Sequence, residues 1–298
     1  MIALARDRKG LAYIAFVTVC IVWGTTYLAI SVALETVPVL LLAGLRWMAA
    51  GLIMSGLMIA TGRGLPKPRL WAPLALLGFL MNVLGNGLVV YAQQFVASGL
   101  TAVLIATTPF WSASIERLLP NGERFSKRSL AGLALGFIGI IVLVWPEMTT
   151  GGAGGRSFVI GVIAIQLACV GWVIGTSYAR RHELGDNPFR STALQMVFSG
   201  IMLLAAASAH GDWAHLSFTP RTIAAMLYLS IAGSLVAYSA YIYAIQHLPL
   251  QLVSLYAYIN PMIAVALGTL LLNEPLSARI LIAALLVFAG TWIVGRRS

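Results

Sequence analysis

The sequence predicts an all-α polytopic membrane protein, with ten transmembrane helices forming two inverted five-helix repeats around a central cavity. Composition is the first observation: of 298 residues 60% are hydrophobic and only 9% charged, and the mean hydropathy is +0.91. A water-soluble globule cannot hide that much apolar surface inside itself. Second, apolar stretches of the roughly 20 residues needed to cross a hydrocarbon core recur along the whole chain. Third, the chain echoes itself, with "VWGTTY" at Val22–Tyr27 returning as "VIGTSY" at Val173–Tyr178.

The first span, Leu11–Leu34, follows the charged "RDRK" but exceeds the roughly 7 to 15 apolar residues of a secretory signal core, so it reads as a membrane helix. The second, Pro38–Thr61, starts at a proline and carries Arg46. The third and fourth, Leu70–Phe95 and Ala97–Leu118, meet in the short "QQFVASG". The fifth runs Lys127–Trp145 and is parted by "PEMTTGGAGGRS" from the sixth, Ser157–Ala179. The seventh, Pro188–Ala209, and the eighth, Arg221–Gln246, flank "HGDWAHLSFTP"; "QHLPLQ" then leads into the ninth, Leu250–Leu272, and the tenth is Ala278–Val294. Connections of at most about a dozen residues leave no room for a soluble domain, so function must lie among the helices.

A net charge of +10 raises the question of nucleic acid, and the distribution of basic residues answers it. With the N-terminus cytoplasmic, fifteen of the nineteen Lys and Arg fall in the tails and inner loops, and only Arg156, Arg221 and Arg279 fall in outer ones. This is the positive-inside asymmetry of a multi-pass membrane protein with both termini cytoplasmic; no nucleic-acid partner is expected.

The echo extends over the chain. Tyr91, Ala92 and Gln94 pair with Tyr243, Ala244 and Gln246; Pro38 pairs with Pro188 and Pro109 with Pro261; Glu123, Ser126, Phe137 and Gly139 fall on Glu274, Ser277, Phe288 and Gly290. Ordered matches at a near-constant offset mean two copies of a five-span unit, residues 1–150 and 151–298. Five is odd, so the second copy enters the membrane upside down. Inverted repeats give two near-equivalent conformations, each open to one side, a geometry suited to alternating access.

These residues resemble the EamA-type transporters of the drug/metabolite transporter superfamily. The resemblance rests on "WG" in the first span, Arg46 in "GLRWMAAGL", and the order Pro109, Glu123, Gly132, Gly139, repeated as Pro261, Glu274 and Gly290 with Ala283 in place of the first Gly. Within that superfamily the chain looks most like the YddG-type exporters of aromatic amino acids. The resemblance implies a ten-helix exporter whose cavity is lined mainly by the first, third, fourth, sixth, eighth and ninth helices.

The polar and aromatic residues inside those spans are the candidate substrate site. Asn82 and Asn86 lie one turn apart on one face of the third span, and the repeat sets Ser234 and Tyr238 opposite them. Two amides in hydrocarbon need partners, either neighbouring helices or a polar solute in a hydrated cavity, and the second reading is favoured. Tyr256 and Asn260 are spaced i, i+4 in the ninth span with Tyr258 turned away; their counterparts in the fourth are Thr108 and, a turn on, Trp111. Pro109 and Pro261 should each free a carbonyl four residues back, at Ile105 and Ala257, and bend their helices, making them candidate hinges. Trp172 lies deep, as do Trp23 and Trp111, and a pocket shared by Trp172, Tyr238 and Tyr256 would suit an aromatic side chain. Trp47, Trp71, Trp145, Trp213 and Trp292 read as interfacial anchors.

Arg46 is the one deep charge, read as fixing the second helix rather than binding substrate. Gly132 and Gly136 form a GxxxG read as internal packing, which leaves a monomer as the simplest expectation. No carboxylate lies deep in a span, no GxxxxGK[ST] loop is present, and the four histidines lack metal-ligand spacing, so no cofactor, metal or ATP-driven step is expected. The partners are a small-molecule substrate, an amino acid or related metabolite, and the lipid bilayer. A broad drug or metabolite exporter is the alternative; an intramembrane enzyme would need an acid, base or nucleophile that the spans do not offer.

Overall fold

The computed structural model describes residues 2–118, 127–149, 153–185, 187–248, 250–253 and 255–295. Among these there is no β-strand, and the long helices fall where the apolar stretches predict them. Seven are long and apolar enough to cross a membrane: Lys9–Ala33, Val39–Ala60, Pro68–Ala92, Ser98–Leu118, Gly155–Arg181, Pro188–His210 and Pro220–His247. Shorter apolar helices, Leu130–Val142, Tyr256–Leu272 and Ala278–Gly290, coincide with the predicted fifth, ninth and tenth spans.

Element by element the order is α1 (Ile2–Ala33), α2 (Val39–Ala60), α3 (Trp71–Gly78), a π-helical segment (Phe79–Gly87), α4 (Leu88–Ala92), α5 (Ser98–Ile105), α6 (Thr108–Leu118) and α7 (Lys127–Thr149). The second half runs α8 (Ala153–Arg181), α9 (Pro188–His210), α10 (Pro220–Tyr228), a second π-helical segment (Leu229–Val236), α11 (Ala237–His247), α12 (Leu250–Val253), α13 (Tyr256–Leu272) and α14 (Ala278–Gly295). Local chemistry starts the helices. Asn187 accepts from the backbone N–H of Phe189 with Pro188 at the first helical position, and Thr219 and Thr222 form a capping box ahead of α10.

The outward faces confirm the solvent. In α1, Leu11, Ile14 and Ile21 are more than half exposed while Ala12, Ala15 and Val19 are buried, an arrangement stable only against lipid. Small residues face inward because helices in lipid associate by close packing rather than by apolar burial. Between α2 and α9 a Cβ on Gly200 would sit 2.8 Å from Met48 Cα, and one on Gly51 2.7 Å from Val197 N. Between α7 and α14, Gly290 lies so close that a Cβ would come 2.5 Å from Gly132 O. Gly132 thus packs against the other half of the chain. Glu274 also ties the halves together, its carboxylate accepting from the backbone N–H of Ser98 (2.7 Å) and Gly99 (3.0 Å) at the unpaired start of α5. Glu123 and Ser126, which the repeat pairs with Glu274 and Ser277, lie outside the described residues.

Two expectations need correction. Trp47 is no interfacial anchor: it is 2% exposed, in the core cluster with Leu41, Leu42 and Met196, whereas Trp71, Trp145, Trp213 and Trp292 are exposed as predicted. The two prolines are also not equivalent. Pro109 sits in the first turn of α6, just past a break at Ala106–Thr107, whereas Pro261 lies inside the continuous α13. The carbonyl that Pro109 frees, Ile105 O, accepts from the Thr108 hydroxyl at 2.6 Å.

Candidate functional site

Four rings meet between α1, α11 and α13. Trp23 is the hub, with ring centroids 6.2 Å from Tyr238, 5.2 Å from Tyr241 and 5.2 Å from Tyr256. Tyr241 closes the group at 6.4 Å from Tyr238 and 5.8 Å from Tyr256. Most of these pairs are edge-to-face, the arrangement that ring quadrupoles favour. The Trp23 indole N–H is satisfied by Gly233 O at 3.1 Å, in the second π segment. One turn along from Tyr256, Asn260 orients its amide nitrogen to donate to the carbonyls of Tyr256 and Cys20, both at 3.0 Å. Tyr258 instead meets Phe288 of α14, centroids 6.2 Å apart.

A second, hydrogen-bonding group lies between α6 and α8, where the fourth span breaks. Gln166 Oε1 accepts from the Trp111 indole N–H at 2.9 Å and from the Thr107 hydroxyl at 3.1 Å; that hydroxyl also reaches Leu104 O at 2.6 Å. The Thr108 hydroxyl lies 3.4 Å from Cys169 Sγ. Gln166 Nε2 is buried and has no hydrogen-bond partner among the described residues. Further along the same two helices Glu116 accepts from Ser177 (3.0 Å), Arg180 (2.6 Å) and Arg181 (3.1 Å), joining the ends of α6 and α8.

Asn82 and Ser234 belong to neither group. Each lies in a π segment and is fully buried. The Asn82 amide donates to Ser199 Oγ at 3.0 Å, and Gln195 lies 3.5 Å from its oxygen. Ser234 accepts from Arg46 Nε at 2.7 Å, and the Arg46 guanidinium stacks over Trp47, 4.8 Å from its centroid. A side-chain hydroxyl of the eighth span, rather than a backbone carbonyl, therefore fixes Arg46. Asn86 is half-buried and makes no side-chain hydrogen bond among the described residues. Trp172 packs beside Gly85, outside the four-ring cluster.

The structure thus brings Tyr238, Tyr256 and Asn260 together on one side and Thr108 and Trp111 together on the other. Sequence reasoning left Trp23 as a packing residue and passed over Tyr241 and Gln166. "YSAYIYA" does carry the signal for Tyr241, one turn after Tyr238, but nothing local marks Gln166. Among the described residues no three His, Cys, Asp or Glu side chains are grouped to hold a metal.

The pattern of the EamA-like transporter family matches residues 10–145 and again residues 159–296. An inner membrane transporter named YedA from Escherichia coli K12, itself described as uncharacterized, is 34% identical over 258 residues, covering 86% of this chain and 81% of that one. A protein from Salmonella typhimurium named a probable amino-acid metabolite efflux pump is 25% identical, covering 92% of this chain and 91% of its own. A solved crystal structure aligns with a TM-score of 0.63 at 21% identity, over 95% of both chains, a likeness of fold. These relatives do not single out the aromatic amino acid exporters. Two matches that together span nearly the whole sequence place this multi-pass membrane protein in the EamA-like transporter family.

Proposed function

We propose that the chain exports small organic solutes, amino acids or related metabolites first and aromatic ones preferred, by alternating access between its two halves. In this reading ten spans cross the inner membrane with both termini cytoplasmic, residues 1–150 and 151–298 form inverted repeats, and Pro109 serves as a hinge at the break in the fourth span. Pro261, inside α13, serves as the matching hinge of the ninth span. What carries the reading is the chemical division of the interior. A four-ring wall lies on α1, α11 and α13, and a separate hydrogen-bonding wall of indole and side-chain oxygens on α6 and α8. A zwitterion with a flat side chain has one end for each wall. Asn86 lies on the π segment of the third span and Trp172 on α8 beside that segment, while Asn82 and Ser234 act as braces rather than as direct contacts.

Uptake into proteoliposomes of labelled Phe, Trp, Leu, Thr and a cationic drug, with and without a pH gradient, tests this. Saturable flux of Trp and Phe, reduced several-fold by Tyr256→Ala, is expected. Flux of the drug alone would favour the broad-exporter reading, and no saturable flux of any solute would end the transport reading for these classes.

A further inference from the structure

We infer that Gln166 is the residue that holds the carboxylate of the transported solute, at the break of the fourth span. The inference rests on the transport reading above and adds the chemical group that the cavity requires of its substrate. Three features of the structure lead to it.

The amide orientation is settled by its surroundings. Trp111 Nε1 can only donate, so the atom 2.9 Å from it must be the Gln166 oxygen, which leaves Nε2 committed as a donor. That donor has no partner among the described residues although it is buried. A buried unpaired N–H is costly and rare, and here no rotation of the amide relieves it without breaking the Trp111 bond. Its depth is the second feature. Gln166 is eleven residues from Gly155, where the sixth span begins, or roughly 16 Å at 1.5 Å per residue, near the middle of a hydrocarbon core. The third is its neighbour, the break ahead of α6, where Pro109 has no N–H, the Phe110 N–H is taken by Thr107 O, and the Thr107, Thr108 and Trp111 side-chain donors are already used, so that Gln166 Nε2 is the donor left for an acceptor. Among helices that break at mid-membrane, such interruptions are where transported solutes are held.

A carboxylate oxygen would accept from Nε2 and lie beside the first turn of α6 with no full positive charge at hand. Arg180 and Arg181 are 14 and 15 residues further along α8 and are engaged with Glu116. Holding an anion with neutral donors keeps the binding weak enough for release. The four-ring wall would then take the other end of the same molecule.

The test compares Trp with its methyl ester and with tryptamine, both of which lack the carboxylate, as competitors of labelled Trp uptake. The wild-type chain should prefer Trp by about tenfold or more, the size expected of one charge-assisted hydrogen bond. Gln166→Glu keeps the acceptor for Trp111 and replaces the donor with oxygen. It should raise the KM for Trp about tenfold while tryptamine competes as well as before or better. If wild-type protein transports Trp yet binds the ester or tryptamine equally well, or if the preference survives in Gln166→Glu, the inference is wrong while the transport reading stands. If no solute moves, the transport reading itself fails. Should Gln166→Glu not fold, ligand-induced melting shifts of the wild-type protein in detergent decide the matter: Trp should raise the midpoint and tryptamine should not, and equal shifts overturn the assignment.

Discussion

The two π segments, Phe79–Gly87 and Leu229–Val236, occupy matching places in the two halves, each between a short helix and its continuation. Their backbones are alike and their side-chain partners are not. In the first, Asn82 is held by the neutral Ser199 and Gln195 of the seventh span; in the second, Ser234 is held by the charged Arg46 of the second. Gln195 stands 149 residues after Arg46 and Ser234 152 after Asn82, so each half braces the π segment of the other from the equivalent helix. The walls diverge in the same way. The second half contributes three of the four clustered rings, whereas the corresponding wall from the first half offers Thr108 and Trp111. Duplication preserved a backbone while the chemistry on it separated, so the proposed solute path would run between two unlike faces.

Removing the hub ring should break the comparison most severely. Trp23→Ala deletes the bond to Gly233 O and three ring contacts, and should cost about 3–5 kcal/mol in detergent unfolding. Trp172→Ala, at the corresponding depth of the other half but outside the cluster, should cost clearly less, and equal losses would erase the distinction between the walls. The braces come next. Ser234→Val leaves the buried Arg46 without its hydroxyl partner and should destabilise by about 2–3 kcal/mol, since hydrogen bonds to charged groups are the stronger kind. Ser199→Ala at the neutral brace should cost about 1 kcal/mol. A reversed order in thermal melts would show that charge does not separate the two braces. Glu116→Gln should have the smallest effect, under about 1 kcal/mol and fading at high salt, because Arg180 and Arg181 are 61% and 42% exposed.

The helices were legible in the sequence because apolar length depends on the bilayer alone, and their duplication because ordered residue matches recur at a near-constant offset. Legible too was the freed carbonyl at Ile105, a direct consequence of the ring of Pro109, although not that Thr108 would satisfy it. The π segments were not: "LGNG" signals a loose helix, but a shift in backbone hydrogen-bond register has no side-chain signature. Arg46 gave no hint of Ser234, since nothing local relates residues 188 positions apart. Trp47 was misplaced because distance from a span end says nothing about which face a neighbouring helix covers. Gln166 was overlooked for the same reason, as its meaning comes from Trp111 on another helix.

Thiol labelling tests most directly whether the unlike walls share one solute path. In a background with Cys20 and Cys169 replaced by Ala, Thr108→Cys and Tyr256→Cys would be probed singly with a membrane-impermeant maleimide, with and without transported Trp. Both positions should label slowly, and Trp should protect both. Protection of one without the other, or labelling of both that Trp leaves unchanged, would contradict a common path between the halves.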